Sequence, residues 1–206
     1  MLLKKFFHLL TLILITLFLT ACAVDSNQMM VNEKIVYKKE PISPVLMNEI
    51  SQILLLVKQN NLALLNSKYI HPSYGFYDIT MFEKENTFEI KKSFTTEFSN
   101  LIDDIDVKIE KVTFNCSPLD DSLYGWDKEG VFLDTQTKPY ITDIMEEVNL
   151  LETDKFKKED LERANFIEQT SYEITIPYNV IFYLTKIENN WYITLIDNVK
   201  TDCSKY

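Results

Sequence analysis

Residues 172–199 constrain the fold more than any other stretch of the chain. Tyr172, Ile174 and Ile176 alternate with other residues, and Tyr178 to Ile187 is dense in Val, Ile, Phe and Tyr. After Glu188-Asn189-Asn190, Trp191 to Val199 repeats that character. β-Branched and aromatic side chains suit a pleated surface, and two such runs around a short polar break read as an antiparallel hairpin. A hairpin alone is marginal in water, so this one needs further strands, or a helix, against its apolar side.

The clearest cover lies upstream. Leu46, Ile50, Ile53, Leu54, Val57, Leu62 and Leu65 recur at helical spacing over Val45–Asn66, with Ser43 as a cap, Pro44 in the first turn and a weak point at Asn60-Asn61. A short extended element over Tyr69–Met81, broken by a turn at His71–Gly75, is expected to pair with Thr87–Lys91. Ser93–Asp103 has short helical spacing. Ile105, Val107 and Ile109 alternate with Asp106, Lys108 and Glu110, which predicts a half-buried strand running on to Phe114. Residues 116–139 are the least regular. Helices are expected over Ile141–Leu151 and from a cap at Asp154 to Gln169.

This order predicts an α+β fold, with the N-terminal helix packed on a curved antiparallel sheet and extra helices before the C-terminal β-hairpin. The element order over residues 45–199 resembles the cone-shaped domains of the nuclear-transport-factor-2-like (cystatin-like) superfamily. That resemblance implies a ligand site on the concave face of the sheet. The helices between 141 and 169 depart from the simplest form of such a cone.

The first 21 residues belong to another category. Lys4 and Lys5 precede an apolar run, Phe6–Leu19, and small residues follow. A positive start, a short apolar stretch and a small-residue cut site mark a secretory signal. The run of about 14 residues falls short of the roughly 20 that a permanent membrane span needs. Leu19-Thr20-Ala21-Cys22 resembles the lipobox of bacterial lipoproteins. The resemblance implies cleavage before Cys22 and acylation of that cysteine on its sulfur and usually its new amine, which gives a palmitate-type lipid anchor in the cell envelope. It also implies the periplasmic face of the outer membrane over the inner membrane, since Ala23 and not aspartate follows the cysteine. The chain as a whole is similar to small lipoproteins of Lys- and Asn-rich bacteria, a likeness that implies no activity. Residues 1–21 are thus read as a signal peptide, 22–44 as a lipidated N-terminus and flexible tether, and 45–206 as one globular domain. About 160 residues are enough for a real core.

Once Cys22 is acylated, Cys116 and Cys203 remain. An even remainder in an oxidising compartment suggests a disulfide; the other reading is two separate thiols. The formal net charge is −10, and no basic stripe is present, which disfavours nucleic acid as a partner. Three glycines leave no Gly-rich phosphate loop.

The chain has two histidines, and His8 lies in the signal, so His71 alone remains for chemistry. That argues against zinc catalysis through paired histidines. His71, beside Pro72-Ser73-Tyr74-Gly75, reads as a turn histidine or as the lip of a small pocket. The carboxylates between Asp120 and Asp134 lack EF-hand spacing and read as a solvated acidic loop, so neither a metal nor a cofactor is expected. Tyr124 and Trp126 flank Gly125 in the irregular stretch, either as a ligand or partner contact or as a lid over the core. Tyr172, Tyr178, Tyr183, Tyr192 and Trp191 read as sheet packing. Together these expectations describe a non-catalytic binding or structural module, anchored to a membrane through Cys22, that meets an envelope protein or a small ligand. The alternative is a small hydrolase- or isomerase-like enzyme using a carboxylate or His71 in the concavity of the cone.

Overall fold

The computed structural model describes residues 35–82, 85–95, 105–117 and 124–203. The signal, Cys22 and the expected tether up to residue 34 lie outside these residues. So do Asp120, Asp121 and most of the helix expected over 93–103.

The first helical pattern forms two helices, α1 (Pro44–Lys58) and α2 (Leu62–Tyr69). Ser43 Oγ accepts from Leu46 N, so the predicted cap is made. The chain breaks at Asn60, which takes φ +51°, and Asn61 then caps α2 through Leu64 N. An antiparallel pair follows, β1 (Phe76–Phe82) and β2 (Glu85–Lys91). Gly75 carries φ +69°, and a Cβ there would lie 2.1 Å from Lys91 O, so only glycine fits the turn into β1.

The alternation over 105–114 does not produce one strand. It gives β3 (Val107–Lys108) and β4 (Phe114–Asn115), which belong to different sheets. Two strands also form inside the stretch read as irregular, β5 (Gly125–Trp126) and β6 (Val131–Asp134). The later helices are α3 (Ile141–Leu151) and α4 (Lys158–Thr170). Asp154 is not the cap of α4. It takes φ +59° in the connection, and the N-cap position is held by Lys157, whose N–H donates to Asp160 Oδ2 at 3.1 Å. The C-terminal strands are β7 (Tyr172–Ile176), β8 (Val180–Ile187) and β9 (Asn190–Asp197), and the last two form the expected hairpin.

Seven strands make one sheet in the order β2-β1-β9-β8-β7-β6-β3. It is antiparallel except for β1 beside β9 and β3 beside β6. A second sheet, among the described residues, pairs β4 with β5. The α+β class therefore holds, with helices before the sheet and a C-terminal strand hairpin.

Helices cover both faces of the large sheet. On one face α1 and α2 bury Leu46, Ile50, Leu54 and Leu65 against Ile174, Phe182, Leu184 and Ile193. On the other, Ile141, Met145, Ala164 and Ile167 from α3 and α4 meet Tyr77, Ile79, Tyr183 and Leu195. The two faces exchange along β9 at a bulge opposite Tyr183/Leu184, which lets Ile193 and Leu195 enter different cores although they are two residues apart. Residues 37–40, which fall in the segment read as tether, are docked. Tyr37 N–H donates to Gln169 Oε1, the Tyr37 ring meets Phe166 edge-on, and Tyr172 OH donates to Glu40 O.

Candidate functional site

At the end of β9 the small sheet stands away from the large one and leaves a hollow. Its register pairs Phe114 with Trp126 and Asn115 with Gly125. Thr113 N–H donates to Asp127 Oδ1, and Asp127 N–H to Thr113 O, closing this two-strand unit at its foot. Opposite, the turn from β7 to β8 puts Tyr178 at φ +61°, so its ring swings out of the sheet, over Gly125. A Cβ on Gly125 would lie 3.4 Å from the Tyr178 hydroxyl. That is ordinary contact distance, so it is the backbone angle of Gly125, φ +114°, that calls for glycine at this point.

The hollow measures about 410 Å3 and is lined by Phe114, Tyr124, Trp126, Tyr178, Asn179, Asp197, Asn198 and Thr201, with Ile176, Val180 and Ile181 at its apolar base. Phe114 stands nearly perpendicular to Tyr124 (80°, centroids 5.4 Å) and to Trp126 (78°, 5.2 Å), so the rings form corners and not a flat shelf. Tyr124 and Tyr178 are exposed, while Trp126 is half-buried and leans on the α3–α4 core. Trp126 thus acts both as core cover and as cavity wall. Tyr178 does not pack in the sheet as expected. A second hollow of about 410 Å3 shares Phe114 and is lined also by Cys116, Tyr140 and Lys200. Cys116 and Cys203 are joined as the disulfide expected of the even pair, with Cα atoms 5.4 Å apart, tying the end of β4 to the segment after β9.

Behind the hollow lies a buried polar cluster. Glu173 has no exposed surface; it accepts from Thr175 Oγ1 at 2.9 Å and Tyr183 OH at 2.7 Å, and pairs with Lys200 Nζ. Asp197 is 5 % exposed, and its Oδ1 accepts from Val199 N at 2.9 Å and Lys200 N at 3.0 Å. Burial pushes the Asp197 carboxyl above its ordinary range; the two N–H donors oppose this and Glu173 adds to it. Tyr140 is pushed up to about 12 by burial and then by the Asp197 charge. Burial raises Tyr183 further still, with the charges of Glu173 and Asp197 adding to it.

His71 lies elsewhere. Its ring stacks on Tyr74 (4.2 Å) and meets Tyr192, near the start of β9, edge-on (4.9 Å). Its Nδ1 accepts from Ser73 and Tyr74 N–H groups, which leaves Nε2 to carry the proton of the neutral ring. Burial lowers its pKa. β9 thus separates the two places singled out in the sequence, with His71 beside its first residues and Asp197, Tyr124 and Trp126 around its last. Among the described residues no group of three or more His, Cys, Asp or Glu is placed to hold a metal ion, and no helix is long and apolar enough to cross a membrane.

Asp197, Tyr178 and Asn179 were missed as site residues. Pro177-Tyr178-Asn179 could have been read as a turn presenting an aromatic ring, but nothing in the sequence links it to Tyr124 and Trp126, more than 50 positions earlier. The set contributes rings, side-chain amides, hydroxyls and one carboxylate, which is the chemistry of recognition by stacking and hydrogen bonding. Compared with protein-family models, with curated proteins and with solved structures, the chain matches none.

Proposed function

We propose that this chain is the precursor of an envelope lipoprotein whose folded unit is a non-catalytic binding module, with the aromatic hollow as its ligand seat. One observation carries the binding reading: an open hollow walled by four aromatic rings, with the Cys116–Cys203 link holding one wall to the segment after β9. Rigid aromatic walls bring large contact area with little ordering cost. The address rests on Leu19-Thr20-Ala21-Cys22 at the end of an apolar run. The disulfide supports it, because such bonds persist in oxidising compartments. Two or three acyl chains on Cys22 hold the module stably on a membrane without spanning it, and Ala23 favours the periplasmic face of the outer membrane.

The test is the mass of peptides from protein purified out of its native membrane, without reductant and with free thiols blocked. The expected result is a chain starting at an acylated Cys22, with Cys116 and Cys203 recovered as one linked pair. An unmodified Cys22 still joined to Ala21 would overturn the address and leave the hollow to be judged on binding alone.

A further inference from the structure

The hollow is built on a different principle from a sugar platform. A platform presents ring faces that lie flat for a sugar to stack on, whereas here Phe114 stands at 80° and 78° to its two neighbours. Tyr178 approaches from the opposite wall, over Gly125. Ring faces are electron-rich, and several of them around one point attract a cation. Asp197 lies in the same wall. Both N–H donors that hold it are bound to Oδ1, and among the described residues Oδ2 accepts no hydrogen bond. No lysine or arginine is among the described lining residues. Among the described residues, the ammonium that acts on Asp197 is that of Lys200, which is itself paired with Glu173. The chain's charge of −10 adds a field that draws cations and repels anions.

We infer that the hollow seats a compact organic cation, a primary or N-methylated ammonium group, between the rings of Phe114, Tyr124, Trp126 and Tyr178 and the carboxylate of Asp197. The inference rests on the reading of the hollow as the ligand seat. The rings supply a surface that a methylated ammonium can meet without strong hydrogen bonds, and Asp197 supplies the counter-charge. A free small ammonium compound and a choline-type lipid head group share this chemistry.

The experiment titrates the full chain, in a polyoxyethylene detergent, with choline, with its uncharged isostere 3,3-dimethylbutan-1-ol and with methyl glucoside. The indole N–H resonance of Trp126 is the readout. The only other tryptophan, Trp191, is buried in the opposite core and serves as internal reference. Choline is expected to shift Trp126 saturably, with the isostere at least about tenfold weaker and the glucoside silent. Tyr178→Ala removes an exposed ring and is expected to weaken choline about threefold; Asp197→Asn is expected to weaken it at least about tenfold. Glycerophosphocholine binding more tightly than choline would identify the lipid head group as the source, and weaker binding a free small organic cation. Equal binding of the isostere, or binding of the glucoside alone, would overturn the cation while keeping the hollow as the seat. Silence of all four probes up to millimolar concentration would overturn both.

Discussion

Glu173 and Asp197 lie at the end of a network that an ordinary strand pattern does not provide for. A buried carboxylate is costly unless it is paired and hydrogen-bonded, and Glu173 is met by Thr175, Tyr183 and Lys200 together. Asp197 has weaker support, two N–H donors on one oxygen, and burial keeps its folded pKa above the usual 3.8. Around it stand Glu173 on β7, Tyr183 on β8, Tyr140 before α3 and Lys200 after β9. A carboxyl whose pKa rises on folding binds its proton more tightly in the folded state. Its contribution is therefore fully present below the unfolded pKa and is lost as pH rises through the folded one. Asp197→Asn keeps an oxygen for the N–H groups of Val199 and Lys200 but has no charge to bury. In urea unfolding across about pH 4 to 7, the variant should gain stability relative to the parent as pH rises. Parallel pH profiles would show that the burial of Asp197 carries no such penalty.

At the scale of elements, helix ends and strand breaks decide the layout. The 44–69 region holds a single helical pattern, yet Asn60 at φ +51° and the Asn61 cap split it, so α2 can turn toward β9. α1 depends on its own start, because none of its first-turn residues is acidic and Ser43 is the side chain that satisfies an N-terminal N–H. Ser43→Ala should destabilise the protein by about 1 kcal/mol, read as a lower urea midpoint at unchanged slope. Ser43→Asp, which can still cap, should restore it. Along the 105–134 region the elements are short because their pairing is split. Val107-Lys108 joins β6 in the large sheet, whereas Phe114-Asn115 joins β5 in the small one.

For the whole molecule, the important joint is Cys116–Cys203, closing a separation of 87 residues. A two-strand sheet of two-residue strands has little stability of its own. The disulfide and the lean of Trp126 on the α3–α4 core are what hold it beside β9. In the chain-entropy account a loop of that length is worth up to about 4.6 kcal/mol. The double variant Cys116→Ser, Cys203→Ser should lose a large part of this in urea unfolding, and the parent under reductant should fall to the same value. If reduction leaves the midpoint where it was, the link carries no stability, and the wall of the hollow stands on packing alone.

What depends on neighbours along the chain was legible from residue order: the amphipathic stripe and cap of α1, the break at Asn60-Asn61, the β8–β9 hairpin and the even cysteine pair. It also marked Tyr124 and Trp126, because two large rings around Gly125 stand out in a polar stretch. The environment of Glu173 and Thr175, by contrast, is set by long-range packing. Alternation over 172–176 makes them look solvent-facing, but both are buried, with Tyr183 and Lys200 closing on Glu173 from β8 and from the segment after β9, and strand periodicity does not tell what lies on top. The same holds for β6, whose apolar Val131-Phe132-Leu133 is too short to show a period until β3 and β7 pair with it. The hollow is wholly a product of long-range contact. Phe114, Trp126, Tyr178 and Asp197 converge because a disulfide, a left-handed turn residue and a strand end meet at one rim, and no local pattern encodes a meeting of segments so far apart.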